Sequence, residues 1–376
     1  MNKNSFILTI EQFHALLQSV QDKGYDLYGP TIKQEVIVLD KITSANELPI
    51  GWMDIQSPGK YRLEKRKDQA YFGYNLGPHS WKKYLFPPKQ PIYTAHRQPN
   101  GLVMLQEAPL PEKRMAFLAV RACELRAMQV QDKVFIQGSE EDPYYKKRRE
   151  NLLIIAVNCT RSVGTCFCVS MECGPRVSKG FDISLTEVIQ LNQHYFVAQA
   201  GSQKGNAFLE GLSLEVASDK DTKLSEELVQ NNADHMERSL NTENLHQLLE
   251  NSYLSKRWNE VGSRCVQCAN CTMVCPTCFC STENEVINMQ GDQSEKWRTW
   301  ESCFNLSHSY VHGGSVRSSS ASRYRQWLTH KFGTWWDQFG TSGCVGCGRC
   351  ITWCPVGIDV TEELKALREE SNEKHL

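Results

Sequence analysis

The sequence predicts an α/β N-terminal domain with a short sheet that contains parallel strands, followed by a mainly helical C-terminal domain. Met115–Val120 and Leu152–Val157 are continuous apolar runs, and the residues between them favour a helix. Apolar strands joined by a helical crossover are typical of parallel sheets covered on both faces. The C-terminal part is distinguished by two dense runs of cysteine after residue 264.

The 376 residues are predicted to form three segments. We expect a mixed α/β domain over residues 1–215 and a polar linker passing into a helix over 216–258. The cysteine-rich domain takes 259–376 and includes a long insert at 281–343. A chain of this length can bury substantial cores.

The first elements have clear local signals. Thr9 and Gln12 form a capping box, apolar residues then recur at helical spacing, and Gly24 supplies a stop. Residues 35–39 suit a short strand, and the proline-rich segment 71–93 suits a loop. The insert holds five of the nine tryptophans, and we expect it to be mostly helical with a serine-rich break at 318–322.

The two cysteine runs have identical spacing. Each is C-x2-C-x2-C-x3-C-P, the pattern that holds [4Fe-4S] clusters in bacterial ferredoxins. The cysteines are Cys265, Cys268, Cys271 and Cys275 in the first run, and Cys344, Cys347, Cys350 and Cys354 in the second. The C-terminal domain is therefore predicted to be a dicluster ferredoxin-type domain that transfers electrons.

In two-cluster ferredoxins the cysteine before proline serves the other cluster. By that logic, cluster 1 is held by Cys265, Cys268, Cys271 and Cys354, and cluster 2 by Cys344, Cys347, Cys350 and Cys275. Gly346 and Gly348 suit a close approach of the backbone to the inorganic sulfide. Cys278, Cys280 and Cys303 lie just beyond the first run; they are either an apolar shell or, for Cys278 and Cys280, an alternative fourth ligand of cluster 2.

A further group of thiols belongs to the N-terminal domain. Cys123 and Cys159 follow the two apolar strands, where functional groups gather in parallel sheets. Three more cysteines follow in a loop, so the five candidates are Cys123, Cys159, Cys166, Cys168 and Cys173. They predict a third iron-sulfur cluster or a redox-active thiol site, with zinc or ordinary buried cysteines as the alternatives.

Charge and hydropathy exclude several classes of function. Lys and Arg number 42 against 43 Asp and Glu, so the chain presents no net field for nucleic acid. Its apolar runs are too short to span a bilayer, and the N-terminus lacks the pattern of a secretory signal. Cysteines crowded together in such a chain are typical of cytoplasmic metal or redox sites.

Five motifs extend the pattern beyond the two cysteine runs: RACELR at 121–126, DPYY at 142–145, TCFCVSM at 165–171, CPTCFC at 275–280 and CVGCGRC at 344–350. Together they resemble the beta subunit of cytosolic nickel-iron hydrogenases of the sulfhydrogenase type. The related iron-sulfur subunit of anaerobic sulfite reductase shares most of them. GPHSWKK at 77–83 and WCPVGID at 353–359 are closer to the hydrogenase branch, whereas Cys173 departs from the family's pattern.

The resemblance implies a non-catalytic iron-sulfur subunit with no catalytic residues of its own. Such a subunit relays electrons between a partner that carries FAD and binds NAD(P) and the small and large hydrogenase subunits. A siroheme sulfite reductase subunit would replace the latter in the other branch. A further alternative is that the N-terminal thiols reduce sulfur or a disulfide themselves.

Overall fold

The computed structural model describes residues 5–190 and 193–373, which include every predicted site residue. The strands are β1 Ser5–Thr9, β2 Asp26–Lys33, β3 Val36–Lys41, β4 Trp52–Ser57, β5 Lys60–Lys65, β6 Lys89–Arg97, β7 Val103–Glu107, β8 Met115–Val120, β9 Leu152–Val157, β10 Ile183–Gln190, β11 Gln193–Ala200, β12 Glu215–Val216, β13 Ser281–Ile287, β14 Gln293–Trp300, β15 Tyr310–Val311 and β16 Gly314–Ser315. The helices are α1 Ile10–Asp22, α2 Lys82–Leu85, α3 Ala122–Phe135, α4 Pro143–Glu150, α5 Gln203–Glu210, α6 Asp219–Asp234, α7 Leu245–Asn251, α8 Arg257–Arg264, α9 Asn270–Met273, α10 Ser320–Thr329, α11 Trp335–Phe339, α12 Arg349–Thr352 and α13 Val360–Glu373. Within these described ranges, no helix is long and apolar enough to cross a lipid bilayer.

The N-terminal part is built on a mixed sheet with the strand order β12-β1-β11-β10-β9-β8-β2-β3. The β2–β8, β8–β9 and β9–β10 pairs are parallel, and the others are antiparallel. The predicted parallel strands β8 and β9 are confirmed, and both are fully buried. The sheet is larger than the short sheet predicted, because antiparallel strands from both ends of this region extend it.

Helix α1 begins as its sequence predicts. The Thr9 hydroxyl accepts from the Gln12 amide at 3.2 Å, and the Gln12 side chain accepts from the Thr9 amide at 3.0 Å. Its apolar residues are buried in the core against the sheet; they are Phe13, Leu16, Leu17 and Val20. After the helix, Gly24 adopts a φ of +81°, a conformation that glycine reaches without steric cost.

Two regions differ from the predicted secondary structure. The first half of the insert is not helical, because β13 and β14 form a hairpin there. This hairpin pairs with β6, which begins inside the predicted loop 71–93, and the resulting sheet has the order β13-β14-β6-β7. A shift in register at Lys296/Trp297 faces Pro91 of β6, which has no amide hydrogen to donate to the ladder.

The second half of the insert is helical. The serine-rich stretch starts helix α10 rather than interrupting one, since the Ser319 hydroxyl accepts from the Ser322 amide at 3.1 Å. A π-helical turn, His330–Thr334, then joins α10 to α11. Of the insert's tryptophans, Trp327 and Trp335 are buried, whereas Trp336 is half exposed.

The polar segment at 216–258 contains two helices, α6 and α7, so it is more ordered than a linker. The leucines of α7 pack in a C-terminal core with Trp258 and Trp327. That core also contains Phe167 from the N-terminal cysteine loop. The N-terminal loop and the C-terminal domain therefore pack directly against each other.

Candidate iron-sulfur centres

The first group of thiols is the one expected for cluster 1. All four of the predicted ligands line one small apolar cavity. We call this set of thiols centre 1: Cys265, Cys268, Cys271 and Cys354. Aromatic and aliphatic side chains from α10 and α13 complete its wall. Burial raises the pKa of Cys271 well above its ordinary value, and the other three thiols add to the shift.

The second group is the one expected for cluster 2, and we call it centre 2: Cys275, Cys344, Cys347 and Cys350. Burial raises the pKa of Cys350 well above its ordinary value, and the largest further contributions come from the other three thiols of this set. The swap of the cysteines before proline between the two runs therefore agrees with the neighbours that each thiol has. Cys350 also lines the cavity of centre 1, so the two centres adjoin.

Four of the five N-terminal thiols line a third cavity. We call this set centre 3: Cys123, Cys159, Cys166 and Cys168. Burial raises the pKa of Cys166 to about 12, with Cys159 and Cys347 adding to the shift. Cys347 of centre 2 lines the same cavity, so centre 3 adjoins centre 2.

Cys173 packs against Cys168 but does not line the cavity of centre 3. It lies in a different, polar cleft together with Arg126, and its thiol donates to the Met171 carbonyl at 2.9 Å. Sequence could not separate it from its four neighbours, because the loop's path is determined by contacts with distant residues. Only the comparison with the family's pattern, from which Cys173 departs, indicated that it differs.

The loop of centre 3 is held against the second cysteine run. The Phe167 amide donates to the Gly346 carbonyl at 2.9 Å, and the Thr165 and Thr352 hydroxyls are 2.9 Å apart. A Cβ on Gly346 would lie 2.6 Å from the Cys168 backbone, and one on Gly348 would lie 2.2 Å from the Thr165 carbonyl oxygen. The two glycines therefore make room for this loop, which sequence reasoning had not foreseen.

Buried cations accompany the thiols, and sequence reasoning missed them. Arg121 follows β8 and places Nη1 3.8 Å from the Cys159 sulfur, while its Nη2 donates to the carbonyls of Phe72 and Tyr74. In the sequence, Arg349 lies between Cys347 and Cys350 of centre 2. It forms a buried ion pair with Glu124, at 2.5 Å. The RACELR and CVGCGRC motifs contain these residues, but nothing local indicated that they meet.

Two buried lysines flank the segment from Cys275 to Cys280. The Lys331 ammonium is 3.3 Å from the Cys275 sulfur. Lys82 donates to the Cys278 carbonyl at 3.1 Å and lies 3.9 Å from the centroid of the Trp300 ring. Both side chains are about 96% or more buried. A buried ammonium is costly unless an anion compensates it.

The three remaining thiols, Cys278, Cys280 and Cys303, lie next to the centres. Cys278 contacts Cys275, and Cys280 is hydrogen-bonded to Cys303. That hydrogen bond and one from His308 lower the pKa of Cys280 to about 4 against the effect of burial. The described part of the chain does not place three Cys, His, Asp or Glu side chains close enough together for one metal ion, which is what the zinc alternative requires.

The donor sets fit iron-sulfur clusters. Each centre offers four thiols, the ligand type that [4Fe-4S] clusters use, and all sixteen cysteines of the chain are free. Each centre is accompanied by a positively charged side chain that has no carboxylate partner within residues 5–190 and 193–373. The Nε atoms of Arg323, near centre 1, and of Arg121, at centre 3, are buried without a hydrogen-bond partner. Anionic clusters would compensate these charges.

Comparison with known proteins agrees with this description. Residues 264–358 match the family of the 4Fe-4S dicluster domain. Sulfhydrogenase 2 subunit beta of Pyrococcus furiosus is 31% identical over 298 residues, which cover 77% of this chain and 85% of that protein. No solved structure matches. Since the identity extends over most of both chains and includes an iron-sulfur domain, this chain belongs to the family of sulfhydrogenase beta subunits.

Proposed function

We propose that the chain is an electron relay that carries three [4Fe-4S] clusters, one at each of the three centres. The observation that supports the proposal is that each neighbouring cavity shares a cysteine with centre 2. Cys350 of centre 2 lines the cavity of centre 1, and Cys347 of centre 2 lines the cavity of centre 3. The order is therefore centre 1, centre 2, centre 3, with centre 2 in the middle.

When bound, the clusters supply one-electron redox couples. The chain's own residues hold the ligands and exclude water. The Cys354 sulfur accepts the Ile358 amide at 3.3 Å, and the Cys344 sulfur accepts the Gly346 amide at 3.4 Å. Such hydrogen bonds stabilise the thiolate form and tune the potential of a cluster. No residue is required to act as an acid or base in a pure electron relay.

The relay needs partners at both ends. The relative's name supports hydrogenase subunits as the catalytic partner, and we propose a flavin subunit with FAD and an NAD(P) site as the other. A flavin would divide the electron pair of NAD(P)H into single electrons. We also propose a cytoplasmic location, since sixteen free thiols are maintained most readily in a reducing compartment.

Replacement of Cys159 by serine tests the third cluster. We expect the anaerobically purified wild-type protein to contain about twelve iron atoms and as many sulfides, four for each of three clusters. Because Cys159 lies in centre 3, Cys159→Ser should lose about four of those irons. The matched control is Cys173→Ser, which should keep all of them because Cys173 lies in another cleft.

Iron and sulfide analysis, with electron paramagnetic resonance of the reduced protein, measures both variants. A wild-type content of about eight irons, unchanged in Cys159→Ser, would contradict the third cluster and leave the two ferredoxin-type clusters. The partners are tested separately by anaerobic purification of the complex from native cells. A flavoprotein together with nickel-iron subunits is the expected result, and a siroheme protein would contradict it.

A further inference from the structure

The two cysteine runs are identical in spacing, but their fourth ligands have different surroundings. In centre 1, the Cys354 sulfur accepts a neutral backbone amide, that of Ile358. In centre 2, the Cys275 sulfur contacts the ammonium of Lys331 at 3.3 Å. The repeat in sequence is therefore accompanied by a difference in charge.

Lys331 is held in one position by its contacts. Besides the Cys275 sulfur, its ammonium donates to the Thr277 hydroxyl at 3.1 Å and to the Gly343 carbonyl at 2.9 Å. The Thr277 hydroxyl in turn donates to the same carbonyl at 2.6 Å, so it cannot also donate its proton to Cys275. All three N–H bonds of the ammonium are used, and one of them is directed at the sulfur.

The position of Lys331 along the chain is unusual as well. It lies in the π-helical turn His330–Thr334, and such turns are frequent at functional sites. The side chain is 3% exposed. Its contacts in the described chain are a thiol, a hydroxyl and a carbonyl, together with the Trp335 ring, whose centroid is 5.4 Å away, and no carboxylate is among them. A charge buried in this way must be balanced by an anion, and the Cys275 thiolate, alone or as the ligand of a cluster, would supply it.

We infer that Lys331 is the countercharge of the cluster at centre 2 and makes centre 2 easier to reduce than centre 1. This inference rests on the proposed function, since it requires clusters at both centres. An ammonium directed at a ligand sulfur stabilises the reduced, more negative state of a cluster more than the oxidised state. Electrons that enter at centre 1 would then pass on to centre 2.

Arg323 does not give centre 1 a contact equivalent to that of Lys331 with the Cys275 sulfur. Its guanidinium is buried near Cys265, but its Nη1 donates to the carbonyls of Arg317 and Ser318. Lys82 adds positive charge near centre 2, although it donates to backbone carbonyls and not to a ligand sulfur. The contact between Lys331 and Cys275 is thus the distinguishing feature.

The test is a redox titration of the full chain, followed by electron paramagnetic resonance. Lys331→Met removes both the charge and the hydrogen bond with a side chain of similar length. We expect the midpoint potential of one cluster to become more negative by at least about 59 mV. For a one-electron couple, this shift is a tenfold change in the ratio of reduced to oxidised cluster. Lys331→Gln keeps N–H donors without the charge and should produce a smaller shift of the same sign.

Lys204→Met is the matched control, because Lys204 also donates to a carbonyl, that of Leu152 at 2.8 Å, but at the end of β9 opposite the thiols. It should leave every transition unchanged. The inference is wrong if all midpoint potentials in Lys331→Gln and Lys331→Met equal those of the wild type. It is also wrong if the potentials of all clusters shift by the same amount. Should Lys331→Met fail to retain its clusters, Lys331→Gln decides alone. A wild-type protein that binds no iron would instead overturn the proposed function.

Discussion

Replacement of Arg349 by methionine is expected to destabilise the protein by about 3 to 5 kcal/mol, because it leaves a carboxylate buried without its partner. Arg349 and Glu124 are 2.5 Å apart and are 4% and 1% exposed. The pair has further contacts on each side. The Arg349 Nε donates to the Gly77 carbonyl at 3.2 Å, and Glu124 accepts the Trp81 amide at 3.0 Å.

This single pair connects three of the motifs that identify the family. Glu124 belongs to RACELR, Arg349 to CVGCGRC, and Gly77 and Trp81 to GPHSWKK. It also lies between centres 2 and 3, since Arg349 lines the cavity of centre 3. We therefore expect Arg349→Met to lower the midpoint of anaerobic thermal unfolding by on the order of 10 °C and to reduce the iron content.

Two controls separate this effect from a general loss of charge. Lys146→Met removes one partner of an exposed ion pair, with Glu141, and should cost less than about 1 kcal/mol. The double variant Glu124→Gln/Arg349→Met removes both charges and should recover part of the lost stability. A single variant no less stable than Lys146→Met, or a double variant no better than the single one, would show that the pair is not the cause.

The parts of the fold that sequence could predict are those whose signals are local. The apolar runs of β8 and β9, the capping box of α1 and the two cysteine runs are each contained in a short segment. The ends of parallel strands then place Cys123 and Cys159 at the same edge of the sheet. Sequence therefore predicted the thiol sets that meet in the three cavities, together with Cys173, which lines a different cleft.

The parts that sequence missed depend on contacts between distant segments. The β13–β14 hairpin is polar and largely exposed, and it is extended into a sheet by pairing with β6. Lys331 is 56 residues from Cys275 along the chain and has the appearance of an ordinary helical lysine. Gly346 and Gly348 suggested an approach to sulfide, but the structure shows a second peptide segment at the positions that side chains would occupy.

The last of these observations gives the second large effect, which is expected for Gly348→Ala. Gly348 has a φ of +72°, and a Cβ there would lie 2.2 Å from the Thr165 carbonyl oxygen. The left-handed backbone costs an alanine about 1 to 2 kcal/mol. The overlap with a backbone atom adds roughly 1 to 3 kcal/mol, because the loop of centre 3 must move away.

The chain offers a closely matched control, Gly291→Ala. Gly291 has the same φ of +72°, but nothing lies within 4 Å of the position that a Cβ would take. It should therefore cost only the backbone strain, about 1 to 2 kcal/mol, and should keep its full iron content. Both variants are compared by anaerobic thermal unfolding, by iron analysis and by the magnetic interaction between reduced clusters.

Gly348→Ala should be the less stable of the two and should weaken the interaction of centre 3 with centre 2, since the Thr165 segment joins them. Equal stability of the two variants would mean that the loop accommodates a methyl group without cost. In that case the close packing of the two cysteine segments at Gly348 would not be what holds centres 2 and 3 together.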